Sequence, residues 1–417
     1  ISVQEAHDRI RSALLPPLAE TVPLTAAGGR VLAGDVAATM PQPRFTNSAM
    51  DGFALRAADT ADAAPASPAM IEVSGGVSAG DDADLAVSAG QCVRIMTGAQ
   101  LPVGTDTVVK VEDTDGFDAE TVRVPSPVPP GQHVRREGED VRRGQRLITA
   151  GTSLNPGELG LLATHGFHQV EVYRRPGLAL LATGNELVEP GAPLAPGQVY
   201  NSNVPVLARL ATLAGAHLVM SSTLGDDPAA LAKWLGEAIE SCQLVVTSAG
   251  VSMGRSDHVR STLQDVGFQE DFWRVAQKPG MPLLFGRAGQ ALVFGLPGNP
   301  VSAFVCFMEY VAPALAALQG QAPAPKLPAT LAAPFPAEPE KHRFLFGRVG
   351  LDDGRLLAVP SGKLGSHMLS GVLGANCILE APPAPGPLPV GAPVSINLLP
   401  WAQPLAAAPA TGGDGTP

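Results

Sequence analysis

Four short apolar runs between residues 174 and 324 limit this chain more than any other feature. They span residues 178–182, 217–221, 244–247 and 291–294. Each is too short for a stable helix and is bounded by turn residues, so each reads as a buried strand. Helical patterns lie between them, near residues 203–214 and 228–240. The first closes on Gly215. The second opens on Asp226-Asp-Pro228, a helix cap. Strands that alternate with helices are joined by crossovers, which lay the strands parallel and put helices on both faces. Residues 174–324 are therefore expected to form an α/β parallel-sheet domain.

The flanking segments have a different texture. Residues 1–24 carry Val3, Ala6, Ile10, Ala13 and Leu14 at helical spacing and predict one helix, ended by Pro16-Pro17. Residues 25–140 hold short β-branched runs between glycine and proline turns. They predict a β-rich module, with residues 60–69 as a mobile loop. From Val141 the pattern is helical again, and Asn155-Pro-Gly-Glu158 is a cap with Glu at the third helical position. Residues 141–173 are expected to join residues 1–24 in a small mixed helical domain built from two segments. Residues 325–403 predict a small C-terminal β domain, barrel-like in kind. Residues 404–417, rich in Ala, Pro and Gly, predict a disordered tail.

A chain of 417 residues suits two to four domains. Its formal net charge of -11 argues against nucleic-acid binding, which needs a basic footprint. An anionic substrate would have to rely on local cations, helix ends or a metal. Cys92, Cys242, Cys306 and Cys377 are isolated and lack metal-ligand spacing, as in a reducing compartment. With no signal peptide and no apolar run of spanning length, the expectation is a cytoplasmic protein with no membrane attachment. The sequence opens at Ile1, so part of a native N-terminus is expected to precede it.

In an open α/β sheet, ligands bind outside the carboxyl ends of the strands. Thr183-Gly-Asn-Glu186 follows the first strand and Thr223-Leu-Gly-Asp226 the second. Thr247-Ser-Ala-Gly-Val-Ser252, with Asp257 beyond, follows the third. Leu296-Pro-Gly-Asn-Pro300 follows the fourth, and Ser302 comes just after it. Gly298 permits a tight turn, Asn299 suits a helix cap and Pro300 suits a first helical turn. A strand feeding such a turn into a helix is a ready anion site. Glu186, Asp226 and Asp257 on the same edge would repel an anion. At about 4 Å, with an effective dielectric near 20, each unit-charge pair costs on the order of 4 kcal/mol. A hard divalent cation resolves the conflict, and Mg²⁺ is the usual one beside phosphates. Arg274 and Lys278 add positive charge nearby. The residues thus predict a Mg²⁺-assisted phosphate or nucleotide site. Asp51, Thr97, the charge run at 135–140 and the loop at 362–367 receive no role from periodicity.

These runs, taken in order, resemble the MoeA–gephyrin family of molybdopterin molybdenumtransferases. The resemblance is carried by Asn47-Ser-Ala-Met-Asp-Gly52, Arg94-Ile-Met-Thr-Gly98, Gly138-Glu-Asp140, Thr183-Gly-Asn-Glu186, Gly250-Val-Ser252, Lys278-Pro-Gly280 and Leu296-Pro-Gly-Asn-Pro-Val-Ser302. It implies an elongated four-domain subunit that forms a homodimer. The active site would lie between the α/β domain of one subunit and the β module of the other. The implied reaction takes adenylylated molybdopterin and molybdate, uses Mg²⁺, releases AMP and leaves molybdenum on the dithiolene. Asp51, Thr97, Asp140, Glu186, Asp226 and Asp257 match positions used for activity. Ser252, Arg274, Lys278, Gly298, Asn299, Ser302, Arg348 and Ser366 would bind substrate or phosphate. Glu186, Asp226 and Asp257 are the expected metal carboxylates. A molybdopterin adenylyltransferase and molybdoenzyme maturation factors are the implied partners. Some positions depart from the pattern: Asn185 where Asp is common, Ala249 for Gly, Arg274 where some members carry Lys, and Met281 where some have another Lys. Two rival readings are a molybdopterin adenylyltransferase and a non-catalytic self-associating scaffold.

Overall fold

The computed structural model of the chain describes residues 1–82, 84–249 and 258–402. Ser252, Asp257 and the expected tail lie outside them. The chain divides into two compact units. One combines Ile1–Glu20 with Val172–Pro417, and the other is Thr21–Glu171.

The first unit is built on a six-stranded sheet. Its strands are β1 (Gly177–Thr183), β2 (His217–Leu224), β3 (Leu244–Ser248), β4 (Phe268–Trp273), β5 (Leu284–Ala288) and β6 (Ala291–Leu296). They lie in the order β2-β1-β3-β6-β5-β4. The first four are parallel, as expected; β5 and β4 are antiparallel additions. The reason is local. Only Gly289 and Gln290 separate β5 from β6, and so short a link can only turn the chain back on itself. The expectation of a buried strand at 217–221 also fails. β2 is an edge strand, and exposed residues alternate along it.

Alternation along the central strands feeds two cores. Leu178, Leu180, Leu244, Val246, Leu292 and Phe294 pack with Leu207, Phe304, Tyr310 and Leu315. Ala179, Leu181, Val245 and Val293 pack on the opposite face with Leu231, Leu235 and Leu263. Helices Asn203–Leu213 and Pro228–Ser241 sit where their periodicity put them. Contrary to the expectation of no apolar run of spanning length, residues 300–318 form one 19-residue helical run apolar enough to span a membrane; 72% of its most apolar stretch is buried, as in a core helix. Its middle, Phe307–Val311, is a π segment.

The N-terminal helix is shorter than expected. It runs Val3–Ala13, with the Ser2 side chain accepting from Glu5 N at 3.0 Å. Residues before proline resist the helical region, and Pro16-Pro17 offers no N–H. Ala19–Pro23 is a strand instead. Val3, Ala6 and Ile10 join the sheet's first core.

The C-terminal β domain is a closed five-stranded barrel. Its strands, in order around the wall, are His342–Asp352, Arg355–Pro360, Leu327–Leu331, Pro393–Leu398 and Cys377–Ala381, with the last pairing back to the first. A buried ionic chain fastens it to the long helix. Glu309 Oε1 lies 2.7 Å from both His7 Nε2 and Lys326 Nζ, and Lys326 also bonds Glu380 of the barrel. Beside it, the Tyr310 hydroxyl donates to Gln277.

The second unit carries a five-stranded sheet ordered Thr107–Lys110, Gly52–Leu55, Gln91–Ile95, Ala69–Val77 and Thr121–Val124. Gly52 is required by sterics, because a Cβ there would sit 2.0 Å from the Val109 carbonyl oxygen. Asn155 and Glu158 form the expected capping box on helix Pro156–Thr164. The stretch expected as a mobile loop instead holds a turn closed by paired backbone bonds between Ala64 and Ser67 (3.0 and 2.9 Å).

Candidate functional site

Register lines up the strand ends. Thr183 pairs with Leu224, Ala182 with Ser248, and Ser248 with Leu296, so β1, β2, β3 and β6 stop at one level. The loops that follow then bond to one another. Gly184 N donates to Leu224 O at 3.1 Å, and Asp226 N donates to Asn185 Oδ1 at 3.1 Å. Ala249 N donates to Leu296 O at 3.1 Å. Asn203, at the start of its helix, donates from Nδ2 to Ser248 Oγ and to Gly298 O, each at 2.7 Å. Around these loops is a cavity of about 690 Å³, lined by Glu186, Tyr200, Asn203, Ser248, Gly298, Asn299 and His367 among others. Its volume falls within the range of small-molecule sites, roughly 300–1,000 Å³.

Asn299 occupies the N-cap position but makes no side-chain cap bond. Its Nδ2 donates instead to Ser366 Oγ at 3.0 Å, and Val301 N donates to Ser366 O at 3.1 Å. The turn is therefore latched to a loop of the C-terminal barrel domain. Ser302 is buried in the first helical turn. Ala249 has φ 77°, a backbone glycine adopts more easily. A Cβ on Gly298 would lie only 3.2 Å from the Ala249 methyl, so Gly298 makes room for this departure.

Six expected residues of this unit do not line the cavity: Asp226, Arg274, Lys278, Ser302, Arg348 and Ser366. Asp226 N bonds Asn185, the neighbour of the lining residue Glu186. Lys278 Nζ is paired with Glu338 Oε1 at 2.5 Å, and Arg343 shares that carboxylate at 3.2 Å. Arg274, at φ 79°, lies with its guanidinium 4.2 Å from the Trp273 ring centroid. Arg348 is exposed on the barrel strand His342–Asp352. Among the described residues no group of three metal-type side chains forms. Asp257 lies outside those residues. Glu186, Asp226 and the Asn185 amide oxygen are all hard oxygen donors on adjoining loops, a chemistry that fits Mg²⁺.

In the second unit, register again does the positioning. Gly52 pairs with Ile95 in antiparallel strands, which sets Asp51 beside the residues after Ile95. Thr97 N and Thr97 Oγ1 both donate to Asp51 Oδ1 at 2.7 Å. The backbone bond first, and the hydroxyl second, hold the Asp51 carboxyl below the usual range. Asp140 is exposed; its backbone N bonds Gln42 O at 3.0 Å. Sequence reasoning brought Asp51 and Thr97 together only through the family resemblance. It missed Asn203, Ser248, Tyr200 and His367. One signal was available: Asn201-Ser-Asn203, a run of cap-type residues before an apolar helix.

Comparison with known proteins agrees along the whole length. Residues 1–166 match the family model "MoeA N-terminal region (domain I and II)", 179–317 the "Probable molybdopterin binding domain", and 328–399 the "MoeA C-terminal region (domain IV)". The chain is similar to the molybdopterin molybdenumtransferase 2 of Mycobacterium tuberculosis, 38% identical over 390 residues, 91% of this chain and 95% of that one. It is also similar to the molybdopterin molybdenumtransferase of Haemophilus influenzae, 35% identical over 94% of this chain and 97% of the relative. Among solved structures, a molybdopterin biosynthesis MoeA protein from Pyrococcus horikosii superposes with a TM-score of 0.82 at 31% identity, covering 95% of this chain and 98% of that one. Whole-length similarity at this identity, on a site built from the same runs that suggested it, means that the chain belongs to the MoeA family of molybdopterin molybdenumtransferases.

Proposed function

We propose that the chain inserts molybdenum into molybdopterin: it takes adenylylated molybdopterin and molybdate, cleaves the adenylyl phosphoanhydride, releases AMP and leaves molybdenum on the dithiolene. The observation that carries this reading is the gathering of three strand ends and a barrel loop around one cavity, through Asn203 and through the Asn299–Ser366 latch. Backbone donors at the Gly298 turn suit a phosphate, and Tyr200 with Pro282, Pro297 and Pro300 offers apolar wall to a flat ring. Ser366 and Arg348 are assigned to molybdate or pterin phosphate, with Arg274, Lys278, Ser252 and Ser302. Glu186 and Asp226, with Asp257, would hold Mg²⁺. Bound there, Mg²⁺ would offset phosphate charge, so that the carboxylates orient the anion rather than repel it.

Asp51 and Thr97, with Asp140, are assigned to the same site from the second subunit of a homodimer, acting in the cytoplasm. Partners in this reading are the adenylyltransferase that makes the substrate and the factors that receive the product.

The test measures AMP release from adenylylated molybdopterin with Mg²⁺ and molybdate, in wild type, Glu186→Ala and Asp257→Ala. Both substitutions are expected to lower kcat at least about 100-fold, as losing a transition-state electrostatic contact does. Near-normal turnover in both would remove the site assignment. ATP consumption with molybdopterin alone is expected to be absent; if present, the chain is an adenylyltransferase.

A further inference from the structure

Asn203 has one polar atom that the described residues leave unused. Its Nδ2 carries two hydrogens, and both are committed: one to Ser248 Oγ, one to Gly298 O, each at 2.7 Å. Gly298 O is a carbonyl and can only accept, so the amide nitrogen must face it. The amide orientation is thereby set. Among the described residues nothing donates to Asn203 Oδ1, although the side chain lines the cavity. The residue's own backbone is also fixed, because Asn203 N donates to Asn201 Oδ1 at 3.1 Å and Asn201 is 1% exposed. An acceptor on a residue that three hydrogen bonds hold in place, and that lines the cavity, costs little to order when a donor arrives.

We propose that Asn203 Oδ1 accepts a hydrogen bond from a neutral donor on the bound substrate. Resting on the molybdopterin reading above, that donor is an N–H on the pterin edge or a hydroxyl of the adenylate ribose. The same side chain clasps the third strand's end to the Gly298 turn. It therefore reads the substrate with one atom and shapes the wall with the other. The carboxylate Glu186, on the same cavity, cannot be held so firmly, since it is exposed on its loop. The neutral amide thus discriminates by hydrogen-bond direction rather than by charge.

The experiment titrates the full chain, wild type and Asn203→Ala, with molybdopterin and with AMP separately, and follows it with turnover. The expected result is about a tenfold loss of affinity for one of the two ligands and little change for the other. The affected ligand names the donor. In turnover, KM for adenylylated molybdopterin rises while KM for molybdate holds. Equal losses for both ligands overturn the contact, because a clasp alone would loosen the whole wall. Unchanged binding of both overturns it too. If wild type binds neither ligand, the molybdopterin reading fails, and the contact with it. If the alanine variant melts early, Asn203→Ser, which can keep one bond of the clasp, is read in the same titrations against the same outcomes.

Discussion

Replacing Lys326 by Met should cost this fold more than any exposed ion pair could. Lys326 Nζ lies 2.7 Å from Glu309 Oε1 and also bonds Glu380. The two carboxylate side chains are 5% and 11% exposed. At 2.7 Å and an effective dielectric near 20, the attraction to Glu309 alone is about 6 kcal/mol, much of it offset by desolvation. Removing one partner of a buried pair costs about 3–5 kcal/mol, and Lys326 is itself a third exposed, so the lower end, about 3 kcal/mol, is the expected loss. Tryptophan fluorescence during urea unfolding measures it cleanly, because Trp234, Trp273 and Trp401 all lie in the unit that holds the pair. The pH dependence follows from Glu309. Burial pushes its carboxyl up, but the His7 hydrogen bond and the Lys326 charge outweigh that and hold it below the usual value of 4.5. A depressed carboxyl stabilises above its unfolded pKa and loses that contribution as pH falls through the folded one. The gap between parent and variant should therefore shrink in acid. Glu380 is pushed the other way, by burial and then by Glu309. Adding Glu380→Gln should accordingly recover part of the loss. A single variant within about 0.5 kcal/mol of the parent, the range of ordinary surface changes, would refute this account.

Asp51 should titrate below the usual carboxylate range in a carbon-detected NMR titration, and Thr97→Ala should raise it only in part, since the backbone donor remains. Its small stabilising effect should be present above the unfolded pKa and lost as pH falls through the depressed one. Ala249→Gly should raise stability by roughly 1 kcal/mol in the same urea assay, because it relieves a left-handed alanine. The four thiols are buried, and burial pushes Cys92 and Cys377 up to about 12. A disulfide reagent at pH 8 should therefore find no thiol in the native chain and all four after denaturation.

The parallel core was legible because Leu178, Val245 and Phe294 sit in runs whose only stable place is a two-sided interior. The capping box at Asn155 was legible because its partners are three residues apart. The antiparallel edge at β4 and β5 was not read, although the Gly289-Gln290 turn was in plain view. The site was half legible. Glu186 and Gly298 follow from the rule that strand ends bind ligands. Asn203 does not, since its partners lie 45 and 95 residues away and only the sheet register brings them within reach. The same holds for Glu309, whose histidine partner is 302 residues distant. Asn299 looked like a cap by local chemistry, and a tertiary contact with Ser366 took its side chain instead.

The π segment at Phe307–Val311 sets the phase of the long helix. Each residue turns an α-helix by about 100°, so one residue more or fewer rotates everything beyond it by that amount. At one end Pro300 must meet the sheet-edge turn. At the other, Gln319 Nε2 donates to Ala214 O at 2.8 Å. Deleting a single residue within 307–311 could restore regular helical bonding and still ruin the protein, because the two ends would no longer face their clients together. The length of this helix is thus set to the residue by demands at opposite ends, and the bulge in its middle is the gearing that reconciles them.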